Sequence, residues 1–540
     1  MKKSFWMALI FLSFFLVLFS FYTINLPTAD IGRHIVNGEM FLHSAEYGVF
    51  KGDILYKNFF SYTYPDFPFI NHHWGSGVII YLIYSVLGFG GLSLIYFLLI
   101  WGAFIFALAV VRDETDLNSI LLTGIFLIPL IAGRIEVRPE GLSYFFLALF
   151  LYILYRYSKS PKEKQASYGA GKMSAVWLWM LPILELIWAN THIYFIFGPF
   201  LIGIFLIEAL LLRNIEKAKR LAIILGASLV AMCATPYGTK GALYPFTIFQ
   251  NYGYRIVENQ SINFLEHLSF INPEFLWYKI ILLLVLVSSI IIITKQRRSF
   301  ALGLSLISFT FALLGYLGIR HIPAFALVSL PLLAYNITVI KKIFSTGVGH
   351  PRFRCPTPVQ IDEDLKIILY AISFCILIGI TMFHFSTRLP WNRNFGLGIN
   401  EGALAPIEFI KNNGIHGPFF NNYDIGAFMI FGLFPKEKIF VDNRPEAYPK
   451  EFFENIYIPM QENEEIWKKE MLKNKFNAIF FDRLDYTPWA QKFLISRVRD
   501  PLWAPVYIDN QTIILLDRNQ ENEKIIKQYE IPKSVFGIKK

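Results

Sequence analysis

Apolar runs recur through the first 390 or so residues of this 540-residue chain. A bilayer core of about 30 Å takes roughly 20 helical residues to cross. In lipid, backbone N–H and C=O groups must bond internally, so such runs become helices. An apolar share of 55% is more than an ordinary soluble domain carries. The chain is therefore expected to be a polytopic α-helical membrane protein. Spans are read at 5–24, 141–157, 174–190, 193–212, 220–236, 275–294, 299–317, 322–340 and 366–385. Three further stretches, 76–88, 91–111 and 119–135, lie between Trp74 and Arg134. Both ends of that region face the same side, so an even number must cross. The count comes to eleven crossings, with thirteen as the alternative.

The net charge of +10 is distributed as short basic loops between apolar runs: 156–172, 213–220, 295–298 and 341–354. That is the positive-inside pattern of cytoplasmic loops. No recognition motif accompanies the charge, which excludes a nucleic-acid partner. Lys2 and Lys3 put the N-terminus inside. The loops 26–75, 134–140, 190–193, 236–274 and 318–322 then face outward, as does everything beyond His384. Cys233, Cys355 and Cys375 are far apart in sequence and imply neither a disulfide framework nor a metal site. The first run is followed by no small-x-small cleavage pattern, so it reads as a retained helix.

Two domains follow. Residues 1–390 form the membrane domain, with an outer loop at 26–75 bearing short interfacial helices. Residues 391–540 form a soluble α/β domain on the outer side. Its strands are expected at 417–421, 438–442, 478–482, 504–509 and 512–517, with helices at 405–412, 463–474 and 487–499. It contains no glycine-rich phosphate loop, and the chain shows no internal repeat.

Polar residues collect at helix ends that charge arithmetic assigns to the outer face. Asp30 emerges just past the first span and begins a weakly helical stretch containing His34. Asn71, His72, His73 and Trp74 lead back into the membrane. Arg138 and Glu140 open one span, and Asn190 and His192 close the next. Arg320 and His321 lie between two more. Each has a plain structural explanation: Arg138 and Glu140 pair with each other, and Trp188 and Tyr237 sit in the interfacial aromatic belt. Glu185, Trp188 and His192 share a helix face. A charged Glu at a span centre costs about 2.5–3.5 kcal/mol, so Glu185 should face a cavity or a partner. Together these groups suit glycosyl transfer from a lipid phosphate. A carboxylate takes the proton of an attacking hydroxyl, and Arg and His donors hold the departing phosphate.

These residues resemble the C-type (GT-C) membrane glycosyltransferases. The motifs are Asp30-x-x-x-His34 with Gly38, Phe60 to Thr63, Asn71-His72-x-Trp74, Arg138-Pro139-Glu140, Trp188-x-Asn190-x-His192 and Pro236-Tyr237-Gly238. The tail adds the segments Phe420 to Gly426 and Val441 to Glu446. The closer likeness is to bacterial GT-C-like proteins of poorly defined activity. The resemblance implies a GT-C-like fold in the bacterial cytoplasmic (inner) membrane with an extracytoplasmic tail domain. Asp30 would be the catalytic base of an inverting transfer, with His34, His72, Arg138, Glu140, Asn190, His192, Arg320 and His321 binding donor phosphate or substrate. It implies a polyprenyl-phosphate-linked sugar donor, a glycan, lipid or protein acceptor, and surrounding membrane lipids. Many GT-C enzymes carry a second acid nearby. Here Glu39 or Asp53 would serve, which leaves a divalent metal open as a cofactor.

Two other classes fit the same composition. A transporter or flippase of lipid-linked glycans should show internal repeats with interrupted mid-membrane helices, which this chain lacks. A non-catalytic assembly or scaffold protein would use the tail for a partner and Asp30 for structure alone.

Overall fold

A computed structural model describes residues 2–134, 136–160, 175–248, 250–270, 272–345 and 394–536, with Gly379. The span expected at 366–385 lies outside the described residues apart from Gly379.

Fourteen helices are labelled here up to residue 345: α1 (Lys2–Ser20), α2 (Ile31–Leu42), α3 (Lys51–Tyr56), α4 (Trp74–Val110), α5 (Leu117–Ile131), α6 (Glu140–Lys159) and α7 (Met180–Ala189). After them come α8 (Phe197–Leu211), α9 (Ile215–Ala231), α10 (Gly238–Leu243), α11 (Ile262–His267), α12 (Pro273–Lys295), α13 (Leu302–Leu317) and α14 (Ile322–Ser345). Among the described residues, six helical stretches are long and apolar enough to cross a membrane: Trp74–Val110, Leu117–Arg134, Glu140–Lys159, Ile193–Leu211, Pro273–Lys295 and Ile319–Ser345. Phe5–Ser20, Val176–Ala189 and Leu302–Leu317 are shorter apolar helices. α14 is the bundle's central element and is almost wholly buried.

Two departures from the sequence reading have local causes. The stretches 76–88 and 91–111 join into one element, α4, bent where Gly88 takes φ 62° and ψ −166°, a left-handed conformation that glycine tolerates. The first helix stops at Ser20 because the next residues pair with the tail instead. Thr23 N donates to Asn394 O (2.8 Å) and Ile24 N to Gly398 O (2.7 Å).

The tail holds a four-stranded sheet: β1 (Phe419–Asn421), β2 (Ala478–Asp482), β3 (Trp503–Ile508) and β4 (Thr512–Asp517). The spatial order is β1-β2-β4-β3, with β1 and β2 parallel and the other pairs antiparallel. The strand expected at 438–442 does not join the sheet. Asn421 takes its backbone instead, with Nδ2 donating to Val441 O (2.7 Å) and Oδ1 accepting from Phe440 N (3.0 Å). Helices Ala405–Asn412, Glu464–Asn474 and Ala490–Arg499 flank the sheet. The helix Gly426–Leu433 packs on α2.

The tail is welded to the loop between α1 and α4. One buried apolar cluster contains Ile31, Ile35, Met40 and Phe60 from that loop together with Phe419, Phe428, Met429 and Phe480 from the tail. Gly32 on α2 makes the approach close. A Cβ there would lie 2.7 Å from the Ala427 carbonyl oxygen. Polar ties reinforce the seam. Tyr62 Oη donates to Phe419 O (2.8 Å), and Arg444 donates to Asn58 Oδ1 (2.7 Å) while paired with Asp442.

Candidate functional site

Asp30 occupies the N-cap position of α2, yet its side chain makes no capping bond. Its Oδ1 accepts instead from Asn443 Nδ2 of the tail. Asn443 Oδ1 in turn accepts from Arg33 Nε (3.3 Å), so one tail amide ties Asp30 to Arg33. Burial raises the Asp30 carboxyl above its ordinary range, against the pull of Arg138 and Arg33. The group is thus a stronger base than a solvated aspartate, held at a fixed position.

Beside it lies a network of arginines and glutamates drawn from three segments, 134–140, 258–259 and 320. Arg134 and Arg138 both pair with Glu258 at 2.9 Å. Arg138 also pairs with Glu136 (2.7 Å). Glu140 accepts from Arg134 (3.5 Å) and Arg320 (3.3 Å). Arg320 Nη1 also donates to Asn259 Oδ1 (3.0 Å). The expected Arg138–Glu140 pair therefore gives way to crossed pairing between loops. Although burial opposes it, Arg134 and Arg138 draw the Glu258 carboxyl down to about 2.

The histidines form a second, continuous set. The His73 ring meets His72 (3.8 Å between centroids), His34 (5.4 Å) and His192 (5.3 Å). His192 meets Tyr194 (4.6 Å), which stacks on His321 (5.2 Å). His192 Nδ1 is 2.7 Å from Ser143 Oγ, and Trp188 Nε1 donates to that hydroxyl (2.7 Å). Trp188 is fully buried, so it belongs to this column and not to an interfacial belt. Burial lowers the His72 imidazole to about 3 and His192 to about 4, and holds His34 well below its ordinary value. These rings are neutral near pH 7, so they offer N–H donors without positive charge. His34 Nδ1 and His192 Nε2 are buried without a hydrogen-bond partner.

Thus Asp30, Arg138, Glu140 and Arg320 meet in the charged network, while His34, His72, His192 and His321 meet in the ring column. Asn190 joins neither. It ends α7, where its amide donates to Leu186 O (2.9 Å) and Ala234 O (3.0 Å). Glu185 is fully buried, and among the described residues neither of its oxygens has a hydrogen-bond partner. Tyr237 Oη donates to Leu55 O (2.7 Å), fastening the first loop.

The second acid is also not where the sequence put it. Glu39 on α2 accepts from Tyr47 and Asp53 on α3 pairs with Lys57, both at half-buried positions. The acids that interact electrostatically with Asp30 are Glu258, Glu140 and Asp424. Burial, with Asp485 and Asp482 nearby, pushes the Asp424 carboxyl up to about 8. Asp424 follows the buried Asn421-Asn422-Tyr423 turn and precedes the helix Gly426–Leu433. A cavity of about 240 Å³ opens among Thr28, Ala29, Arg138 and Asp424. Sequence reasoning passed over Arg134, which ends an apolar run, and Glu258, which sits in an unpatterned loop. Asp424 lay inside a noted motif without a role. Among the described residues, no three His, Cys, Asp or Glu side chains group to hold a metal ion.

The sequence matches no protein-family model and no curated protein. Solved structures do match by shape. One is the archaeal oligosaccharyltransferase AglB from Archaeoglobus fulgidus in complex with an inhibitory peptide and a dolichol-phosphate. Its TM-score is 0.57 at 11% identity, covering 93% of this chain and 73% of that one. Another is the Archaeoglobus fulgidus oligosaccharyltransferase tethered by a disulfide to an acceptor peptide containing the NVT sequon. Its TM-score is 0.56 at 11% identity, covering 95% and 74%. Over more than nine-tenths of its length, this chain shares the fold of these oligosaccharyltransferase structures.

Proposed function

We propose that this protein transfers a sugar from a polyprenyl-phosphate-linked donor to an acceptor at the outer face of a bacterial cytoplasmic membrane, with Asp30 as general base. The observation that carries the reading is the placement of Asp30, a half-buried carboxylate tethered by Asn443 near Arg138 and adjoining a polar cavity lined by Thr28 and Ala29. The acceptor hydroxyl oxygen attacks the anomeric carbon as its proton passes to Asp30. The bond from that carbon to the phosphate oxygen breaks, and its electron pair leaves with the phosphate. Arg134 and Arg320, which do not line that cavity, steady the growing charge, and the neutral imidazoles add N–H donors.

The orientation follows from charge. Arg156, Lys217 and Lys341 gather at the bundle end opposite Asp30. Arg156 pairs with Asp113, Lys341 pairs with Asp116, and Lys217 donates to the last carbonyls of α6. Positive-inside bias makes that end cytoplasmic and leaves Asp30 and the tail outside. The archaeal neighbours, seen with a dolichol-phosphate and with peptides, fit the same division into lipid phosphate and separate acceptor.

The test is Asp30→Asn in membranes supplied with polyprenyl-phosphate sugar. Transfer should vanish while the protein stays folded and inserted. A fully active Asp30→Asn protein defeats the proposal and favours a transporter or scaffold.

A further inference from the structure

We infer that the cavity beside Asp30 is a subsite for one neutral sugar ring, bound through its hydroxyls. This rests on the transfer reading above. The cavity's polar wall comes from the end of α1 and the turn after it, through Ser20, Thr23, Asn25 and Thr28. Glu136, Arg138 and Asp424 close it from the α5–α6 loop and the tail. Phe19, Ile24 and Val137 supply apolar patches between the polar groups. Alternating hydroxyl, amide and carboxyl groups with apolar surface match a pyranose, which presents hydroxyl edges and C–H faces.

Charge decides against a phosphate here. Arg138 is the cation in this wall, and it is already paired with Glu136 at 2.7 Å and Glu258 at 2.9 Å. An anion would meet two carboxyl groups of the lining, Glu136 and Asp424, and would have to compete for an occupied guanidinium. A neutral polyol instead donates to those carboxyl oxygens and accepts from the hydroxyls and amides. The Asp424 carboxyl, pushed up by burial, supplies a donor as well at neutral pH.

Size limits the occupant. About 240 Å³ is the room of roughly eight waters, below the roughly 300–1,000 Å³ of sites for drug-sized ligands. That size suits a single ring. The sugar belongs either to the lipid-linked donor or to the acceptor, and both sources share this chemistry.

Saturation-transfer NMR on the full-length protein in nanodiscs separates them. The probes are a short-chain polyprenyl-phosphate hexose, the sugar-free polyprenyl phosphate, a methyl hexoside and a polyprenyl-diphosphate oligosaccharide. Sugar-proton saturation from the lipid-linked hexose assigns the subsite to the donor, and from the methyl hexoside to the acceptor. Thr28→Leu, which fills the cavity and removes a hydroxyl, should weaken that sugar binding roughly tenfold or more. Thr28→Ser should keep it, and the sugar-free phosphate should bind both variants like the parent. The inference is overturned by sugar protons that stay unsaturated with both hexoses, by binding indifferent to Thr28→Leu, or by equal saturation of several rings of the oligosaccharide. Binding is read without turnover. A parent protein that binds sugar yet transfers none loses the transfer reading and keeps the subsite. Undiminished transfer by Thr28→Leu does the reverse.

Discussion

The position of Asp30 depends on how closely α2 lies on α4, and Gly38 sets that distance. A Cβ added at Gly38 would lie 2.5 Å from the carbonyl carbon of Gly77 and 2.8 Å from Tyr81 Cβ, with the Gly77 oxygen nearer still. Carbon atoms pack at about 3.5–4.0 Å, so α2 must retreat by about 1 Å to admit the methyl. The obstacle is backbone, which cannot swing aside as a side chain does. Overpacking of this kind costs about 1–3 kcal/mol. Asp30 and His34 ride on the same short helix, and a misplacement of about 1 Å in a catalytic group lowers rates roughly 100-fold. Gly38→Ala should therefore insert normally, unfold at lower temperature in nanodiscs, and lose about two orders of magnitude in kcat/KM for sugar transfer. Gly203→Ala is the control, because a Cβ there meets nothing within 4 Å. Wild-type transfer and thermal stability in Gly38→Ala would refute the claim that this contact positions the base.

Other expectations follow from the same geometry. Glu258→Gln removes the carboxylate shared by Arg134 and Arg138. It should destabilise the protein by about 1–3 kcal/mol, between surface and fully buried pairs, as read by thermal unfolding. Glu185→Met replaces a buried carboxyl that has no hydrogen-bond partner and should raise stability by about 1–3 kcal/mol in the same assay. The pH dependence has a definite sign. Asp30 must be ionised to accept a proton, and burial raises its pKa. Transfer should therefore fall on the acid side along a limb lying above the ordinary aspartate value of about 3.9. The folded state favours the protonated form, so the Asp30 contribution to stability is greatest below the unfolded pKa and is lost as pH rises through the folded one. A pH–rate profile set against a pH–stability profile should show opposite slopes across that window.

Much of the frame was legible because hydrophobic length and period are local properties. α6, α8, α12, α13 and α14 fall close to the apolar runs at 141–157, 193–212, 275–294, 299–317 and 322–340. β2 and β4 coincide with the expected 478–482 and 512–517, short continuous apolar runs of strand length that end in an aspartate. What local pattern cannot carry is partnership. Glu258 has no periodic signature, and its importance comes from two arginines more than a hundred residues upstream. The segment 438–442 has strand composition, yet its backbone goes to the Asn421 side chain and to residues 60–63 of the first loop. Asp30 and the histidines were singled out because charge arithmetic put several helix ends on one side. Asn190 satisfied the same arithmetic but spends its amide on two carbonyls, a distinction only coordinates reveal.

The Asn443 bridge has a consequence for biosynthesis. In synthesis, Asp30 precedes by some 400 residues the amide that holds its carboxyl. A polypeptide truncated before Asn443 would carry the acid untethered, with α2 missing the tail helix it packs against. On the proposed role of Asp30, competence for transfer would wait for the segment that carries Asn443.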